Sequence, residues 1–196
     1  MPYPIEKKFV VAVSSTVLFD LSYEHALYME QGLEAFRRYQ HEHRDDLPKP
    51  GTGFPFIRRL LMLNQMYPEE HPVDVVILSR YHADDGMRVL AAVREYGLDI
   101  TRAFFMAGRK PYPFMESVNA TLYLSTNAEQ VREAVALGYP AGHVLPCEAV
   151  DDEQDDQLRI AFDFDGVLVD DEAEKVYKQT QDLDKFRQYE LENRDR

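Results

Sequence analysis

The stretch Arg159-Ile-Ala-Phe-Asp163-Phe-Asp165-Gly166-Val-Leu-Val-Asp170-Asp171 carries an apolar run straight into two aspartates one residue apart, then a glycine and a second apolar turn. In an open α/β sheet, side chains at the carboxyl end of a strand project into the crevice where ligands bind. Neighbours along a strand alternate between faces, but a turn starting at Gly166 can bring Asp163 and Asp165 toward one pocket. Two carboxylates held there repel each other unless a cation lies between them, and Mg²⁺ takes oxygen ligands of this kind. Metal-binding transferases and plain loops also carry a bare Asp-x-Asp. An EF-hand loop is excluded, because it needs a third ligand before its glycine.

The stretch has a counterpart 150 residues earlier. Residues 11–45 align with 161–195 without a gap, and twelve of the thirty-five positions are identical, among them Val17/Val167, Leu18/Leu168, Asp20/Asp170, Glu24/Glu174, Phe36/Phe186 and Tyr39/Tyr189. Ordinary composition gives roughly two by chance. The chain therefore holds a duplicated unit, with a first copy over 1–150 and a second that starts near Leu158 and is cut short at Arg196 after one strand, one turn and one helix. Val13 stands opposite Asp163 and Ser15 opposite Asp165. The first copy lacks both carboxylates, so it reads as catalytically silent.

Around these motifs, short apolar β-rich runs alternate with helix-length amphipathic segments, the pattern of a parallel sheet covered on both faces. Strands are predicted at Phe9–Val13, Val73–Leu78, Ala103–Met106, Thr121–Leu124, His143–Leu145 and Leu158–Phe162. Helices are predicted over 84–96, ending at Gly97, and from an Asn127 cap with Gln130 three residues on to Gly138. Residues 22–66 are too long for one crossover and read as a helical cap insertion, with helices around 23–43 and 56–66 and a Pro/Gly connector at 48–55. The run Asp151–Asp156, five of its six residues acidic, reads as a solvated linker.

With 45% hydrophobic and 29% charged residues over 196 positions, the chain can bury a sizeable core. Its 22 Lys and Arg against 35 Asp and Glu leave a formal charge of −13, which repels nucleic-acid backbones and anionic lipid. Neither a nucleic-acid nor a membrane partner is expected. One cysteine, Cys147, provides neither an internal disulfide nor a thiolate zinc site. No apolar run approaches the ~18 residues of a membrane span. Together these point to a cytoplasmic protein.

Asp163-Phe-Asp165-Gly166-Val-Leu resembles the first motif of the haloacid-dehalogenase-like phosphatases. The resemblance implies a Rossmann-like α/β fold, Asp163 as the nucleophile that forms an aspartyl-phosphate, Asp165 as the acid and then the base, and Mg²⁺ held at Asp163 and Asp165. The runs Val11-Ala-Val-Ser-Ser15, Tyr28-Met-Glu-Gln-Gly32, Gly53-Phe-Pro-Phe56, Val75-Val-Ile-Leu-Ser79, Leu122-Tyr-Leu-Ser125 and Val131-Arg-Glu-Ala134 are similar to the cytosolic 5′-nucleotidases of type I. That narrower resemblance implies Mg²⁺-dependent hydrolysis of nucleoside monophosphates such as AMP. It also implies that this chain is an amino-terminal portion and incomplete for catalysis.

In the first copy, Ser79 stands where the superfamily's second motif puts a hydroxyl on the phosphoryl group, and Lys110, or Arg109 beside it, stands near the third-motif lysine. The same residues also read structurally, Ser79 as a turn cap and Lys110 as part of a solvated loop. The fourth-motif acid pair is absent, with Ser125-Thr126 in its place. An alternative of another class is a binding or assembly module that pairs through its terminal strand and helix as a homo-oligomer.

Overall fold

A computed structural model describes residues 4–147, 151–152, 154–163, 167–168, 170 and 172–193. These fall into two units, Met1–Leu158 and Arg159–Arg196.

The first unit is built on β1 (Phe9–Val13), β2 (Val73–Ser79), β3 (Arg102–Phe105), β4 (Leu122–Ser125) and β5 (Ala141–His143). All pairings are parallel, in the order β3-β2-β1-β4-β5. The sheet grows from β1 to one side through β2 and β3, then returns to the other side of β1 through β4 and β5. The reversal between β1 and β4 is the switch point where such sheets open a crevice. This is the expected α/β Rossmann-like architecture, with strand ends shifted by one or two residues from the predicted ones.

Strand alternation builds the two cores. Val11, Val13, Val75 and Ile77 point to one face, where they pack with Val17, Ile57, Leu60, Val89 and Val93. Val10, Ala12, Val76 and Leu78 point to the other, against Tyr112, Met115, Val118, Tyr123 and Ala134. The first face is covered by α1 (Ser15–Leu18), α3 (Phe54–Met66) and α4 (Ala83–Glu95), the second by α5 (Ala128–Ala136) and two short 3₁₀ turns at Tyr112–Phe114 and Glu116–Val118. The end of α3 is clamped to the start of β2 by Asn64, whose side chain donates to Val73 O and accepts from Val73 N, both at 2.9 Å. The predicted caps form, except that Asn127 N donates to Ser125 Oγ, so Gln130 does not close a reciprocal capping box. Gly97 takes φ 64° after α4, and Asn127 Oδ1 accepts from Gln130 N at 2.9 Å at the start of α5.

The expected insertion over 22–66 divides in two. Helix α3 is the crossover between β1 and β2, with Ile57, Leu60 and Leu61 in the core. Only α2 (Ser22–Glu42) and the connector after it lie outside the minimal alternation. Nor is α2 a single rod, because it breaks at Gly32, φ 81° and ψ −174°. The rings of Tyr23 and Tyr39 lie 5.1 Å apart, and those of Tyr28 and Phe36 6.1 Å apart. Sixteen residues of straight helix would separate the first pair by about 24 Å, so α2 folds back on itself as a helical hairpin.

Within the second unit, α6 (Glu172–Thr180) and α7 (Leu183–Asn193) are separated by Gln181 at φ 53°. Asp182 Oδ1 starts α7 by accepting from the amides of Asp184 and Lys185. Tyr177 meets Phe186 edge-on at 6.2 Å, and Tyr189 OH donates to Glu172 at 2.8 Å. The break at Gln181 comes one place before the counterpart of Gly32, so both copies of the repeat make a helical hairpin.

Two expectations are corrected here. Residues 158–162 form no strand; Ile160 and Phe162 are exposed, and an apolar run with no ladder neighbour leaves its peptide groups to water. The acidic run is not a free solvated linker, because the arginines of α3 hold it.

Candidate functional site

The chemistry-bearing positions of the first unit gather at the carboxyl edge of its sheet. There β1 runs into Ser14-Ser15-Thr16, β2 ends in Ser79, and β4 ends in Ser125 and Thr126. A hydrogen bond from Ser14 N to Leu124 O at 2.9 Å carries the β1–β4 pairing past the last strand residue. The hydroxyls then join one another. Ser15 Oγ lies 2.9 Å from Ser79 Oγ, Ser14 Oγ 2.9 Å from Thr16 Oγ1, and Thr126 Oγ1 2.7 Å from Thr16 Oγ1. Ser79 and Ser125 each also accept from a backbone amide two residues on, that of Tyr81 and of Asn127. Ser15, Ser79 and Ser125 are buried.

Ser79 thus caps its own turn, as its structural reading predicted, and bonds to Ser15, the residue aligned with Asp165. Val13, aligned with Asp163, has no exposed surface and is part of the core. The position that carries Asp163 in the second copy is a packing position in the first. Among the described residues these hydroxyls bond to one another, to backbone amides and, from Ser125, to the Tyr123 phenol, rather than to a histidine, lysine or carboxylate that could deprotonate them. Neutral hydroxyl donors without a carboxylate are also a poor fit to Mg²⁺, which favours carboxylate and phosphate oxygens.

Lys110 is engaged elsewhere. Its Nζ contacts Glu133 of α5 at 2.9 Å and 3.0 Å, and Tyr112 OH donates to the same carboxylate at 2.7 Å. The hydrogen bond from Lys110, with that from Tyr112, holds the Glu133 carboxyl below the usual range, while the same contact with Glu133 raises Lys110. Neighbouring Arg109 lines an apolar cavity of about 420 Å³ with Phe104, Phe105, Met106 and Phe114, beside the edge strand β3. Lys110 and Ser79 therefore share an edge of the sheet but no hydrogen-bond partner. Burial raises the Tyr123 phenol to about 12, and it donates to Gln130 behind the hydroxyl cluster.

In the second unit, Asp163 is exposed and belongs to no strand. Asp165 and Gly166 lie outside the described residues. Asp163 offers the hard oxygen donor that Mg²⁺ takes, and among the described residues no group of three or more His, Cys, Asp or Glu is placed to hold a metal.

Sequence reading had marked Ser15, Ser79, Ser125 and Thr126 one by one but not their junction, since hydroxyls separated by more than a hundred residues give no local signal. Ser14, Thr16 and Glu133 were missed. Arg88, four residues after Asp84 on its own helix, pairs instead with Glu24 of α2 at 2.9 Å. The identity of Glu24 and Glu174 was the one available hint.

The 5′-nucleotidase family model matches residues 1–196. The chain is 33% identical over 195 residues to human cytosolic 5′-nucleotidase 1B, covering 96% of this chain and 32% of that protein. It spans about a third of the length of that curated relative. No solved structure matches.

Proposed function

This chain belongs to the 5′-nucleotidase family, and on that premise we propose that it contributes the nucleophile turn of a phosphomonoester hydrolase acting on nucleoside monophosphates of the AMP type. One observation carries the reading. Across a whole-chain family match, the duplicated motif keeps its carboxylates in the second copy, Asp163 and Asp165, and has lost them in the first, at Val13 and Ser15.

Asp163 attacks phosphorus in line with the departing ribose oxygen, and the P–O bond to ribose breaks as the aspartyl-phosphate forms. Asp165 gives its proton to that oxygen, then takes one from the water that hydrolyses the acyl-phosphate. The Asp163 carboxylate and the Asp165 backbone carbonyl are the groups proposed to hold Mg²⁺. When bound, the ion masks phosphoryl charge that would otherwise repel a carboxylate. Cytoplasmic residence accords with the relative's name and with the lack, among the described residues, of any helix long and apolar enough to cross a membrane.

The test is phosphate release from AMP by a polypeptide carrying this chain. Asp163→Asn is expected to lower kcat by about 10³-fold or more, while Ser79→Ala leaves it unchanged. Full activity in Asp163→Asn overturns the reading.

The hydroxyl cluster favours a second, compatible role for the first unit as a non-catalytic binding or assembly module. A particle that stays strictly monomeric at high concentration would remove the self-assembly form of that role.

A further inference from the structure

Helix α3 begins Phe54-Pro55-Phe56-Ile57-Arg58-Arg59 and has no acidic residue in its first turn. Two cations this near the positive end of a helix dipole are unfavourable unless anions arrive from elsewhere. They arrive from the acidic run nearly a hundred residues later. Arg58 Nη1 donates to Asp156 Oδ1 at 3.0 Å, and Arg59 Nη2 to Asp151 Oδ1 at 2.6 Å. Two side-chain-to-backbone turns accompany these anchors, Asp152 Oδ1 accepting from Gln154 N and Asp155 Oδ1 from Gln157 N, both at 3.0 Å. The turns aim the carbonyls of Asp152 and Asp155 at the guanidinium groups. Arg59 Nε donates to Asp155 O at 2.9 Å and its Nη2 to Asp152 O at 3.1 Å, while Arg58 Nη2 reaches Asp155 O at 3.2 Å.

Four of the six acidic-run positions, Asp151, Asp152, Asp155 and Asp156, thus serve the arginines through a carboxylate or a carbonyl, a pattern that needs planar forked donors rather than point charges. The arginine side chains keep 19% and 14% of their surface. Just beyond, Leu158 packs against the core.

We infer that Arg58 and Arg59 form a clasp whose occupants are the chain's own Asp151, Asp152, Asp155 and Asp156, and that releasing them loosens the polypeptide where it enters the Asp163 motif. Only Arg159–Phe162 separate the seated Leu158 from Asp163. The contacts are ionic and partly hydrated, so concentrated salt weakens the clasp without touching the apolar core.

Amide exchange at Gln154, Asp155 and Gln157 of the full chain tests this. Arg58→Gln with Arg59→Gln is expected to speed exchange there at least about tenfold, with β1 and β2 amides unchanged. Asp151→Asn with Asp156→Asn, which leaves α3 intact, is expected to act in the same direction, and combining both pairs to add little more. Raising salt from about 0.05 to 1 M is expected to move the unaltered chain toward the variants. Segment rates unchanged in either double variant overturn the inference. So does an equal acceleration in β1 and β2, which would make the arginines mere supports of the first unit. Exchange reports the clasp and phosphate release reports the nucleophile, so the two readings fail separately.

Discussion

Val13 shows how one side chain can turn a site into a core. Its counterpart Asp163 is exposed, whereas Val13 has no exposed surface and packs with Val11 and Val17. Restoring the acid as Val13→Asp would bury an unpaired carboxylate, and it is expected to cost about 3–5 kcal/mol in chemical denaturation without creating activity. The absence of the two carboxylates from the first copy was legible from the alignment, but the core residue and the ring of hydroxyls that stand in their place were not, because burial depends on β2, α3 and β4 arriving from distant sequence. Lys110 and Glu133 make a second prediction at this scale. The Lys110 hydrogen bond depresses Glu133, so the stabilisation is present above the ordinary carboxylate range of about 4.3 and is lost as pH falls through the folded value. Lys110 is raised by the same contact, so its share is present below about 10.4 and is lost as pH rises past the folded value. Glu133→Gln is expected to flatten both limbs of a Tm-against-pH profile.

At the scale of elements, the α2 hairpin is held on the first unit by one buried ion pair. Arg88 of α4 donates to Glu24 and Gln40, both at 2.9 Å, and to Asp46 O at 3.0 Å, with its guanidinium 5.8 Å from the centre of the Tyr39 ring. Removing one partner leaves the other charge buried, so Arg88→Met is expected to cost about 3–5 kcal/mol, and Glu24→Leu added to it to recover most of that loss. A thermal-shift series on the single and double variants checks both values. Gly32 bears the fold-back, and Gly32→Ala is expected to cost about 1 kcal/mol through its positive φ alone, since a Cβ there would meet nothing within 4 Å. The helices and their caps were readable because period and capping residues are local. The fold-back was not, since the apolar pattern of 22–42 continues through Gly32 and only the contact of Tyr23 with Tyr39 reveals it. Strand 158–162 failed for the opposite reason. Its composition suits a strand, but a strand is a property of a pair.

For the molecule as a whole, the parallel sheet covered on both faces followed from the alternation of apolar runs and helices, whereas the strand order did not. The role of the acidic run did not, because a cluster of aspartates looks the same in sequence whether water or arginine neutralises it. The formal charge of −13 therefore overstates the repulsion within the chain. With hydroxyls where the metal-binding acids would stand, the melting of the first unit is expected to be unaffected by Mg²⁺ or by a chelator, since a ligand shifts Tm only by binding the native state. A Mg²⁺-dependent rise in the melting of that unit would contradict the silent assignment. The sheet order carries a further consequence for synthesis. Strand β1 sits at the centre, with Val11 opposite both Val75 and Leu122, so its second edge stays open until the ribosome has released the chain beyond β4. The α2 hairpin closes over a short loop and can form long before then. Nascent chains of intermediate length therefore expose Phe9–Val13 beside an already folded hairpin, and that interval is where a chaperone has most to protect.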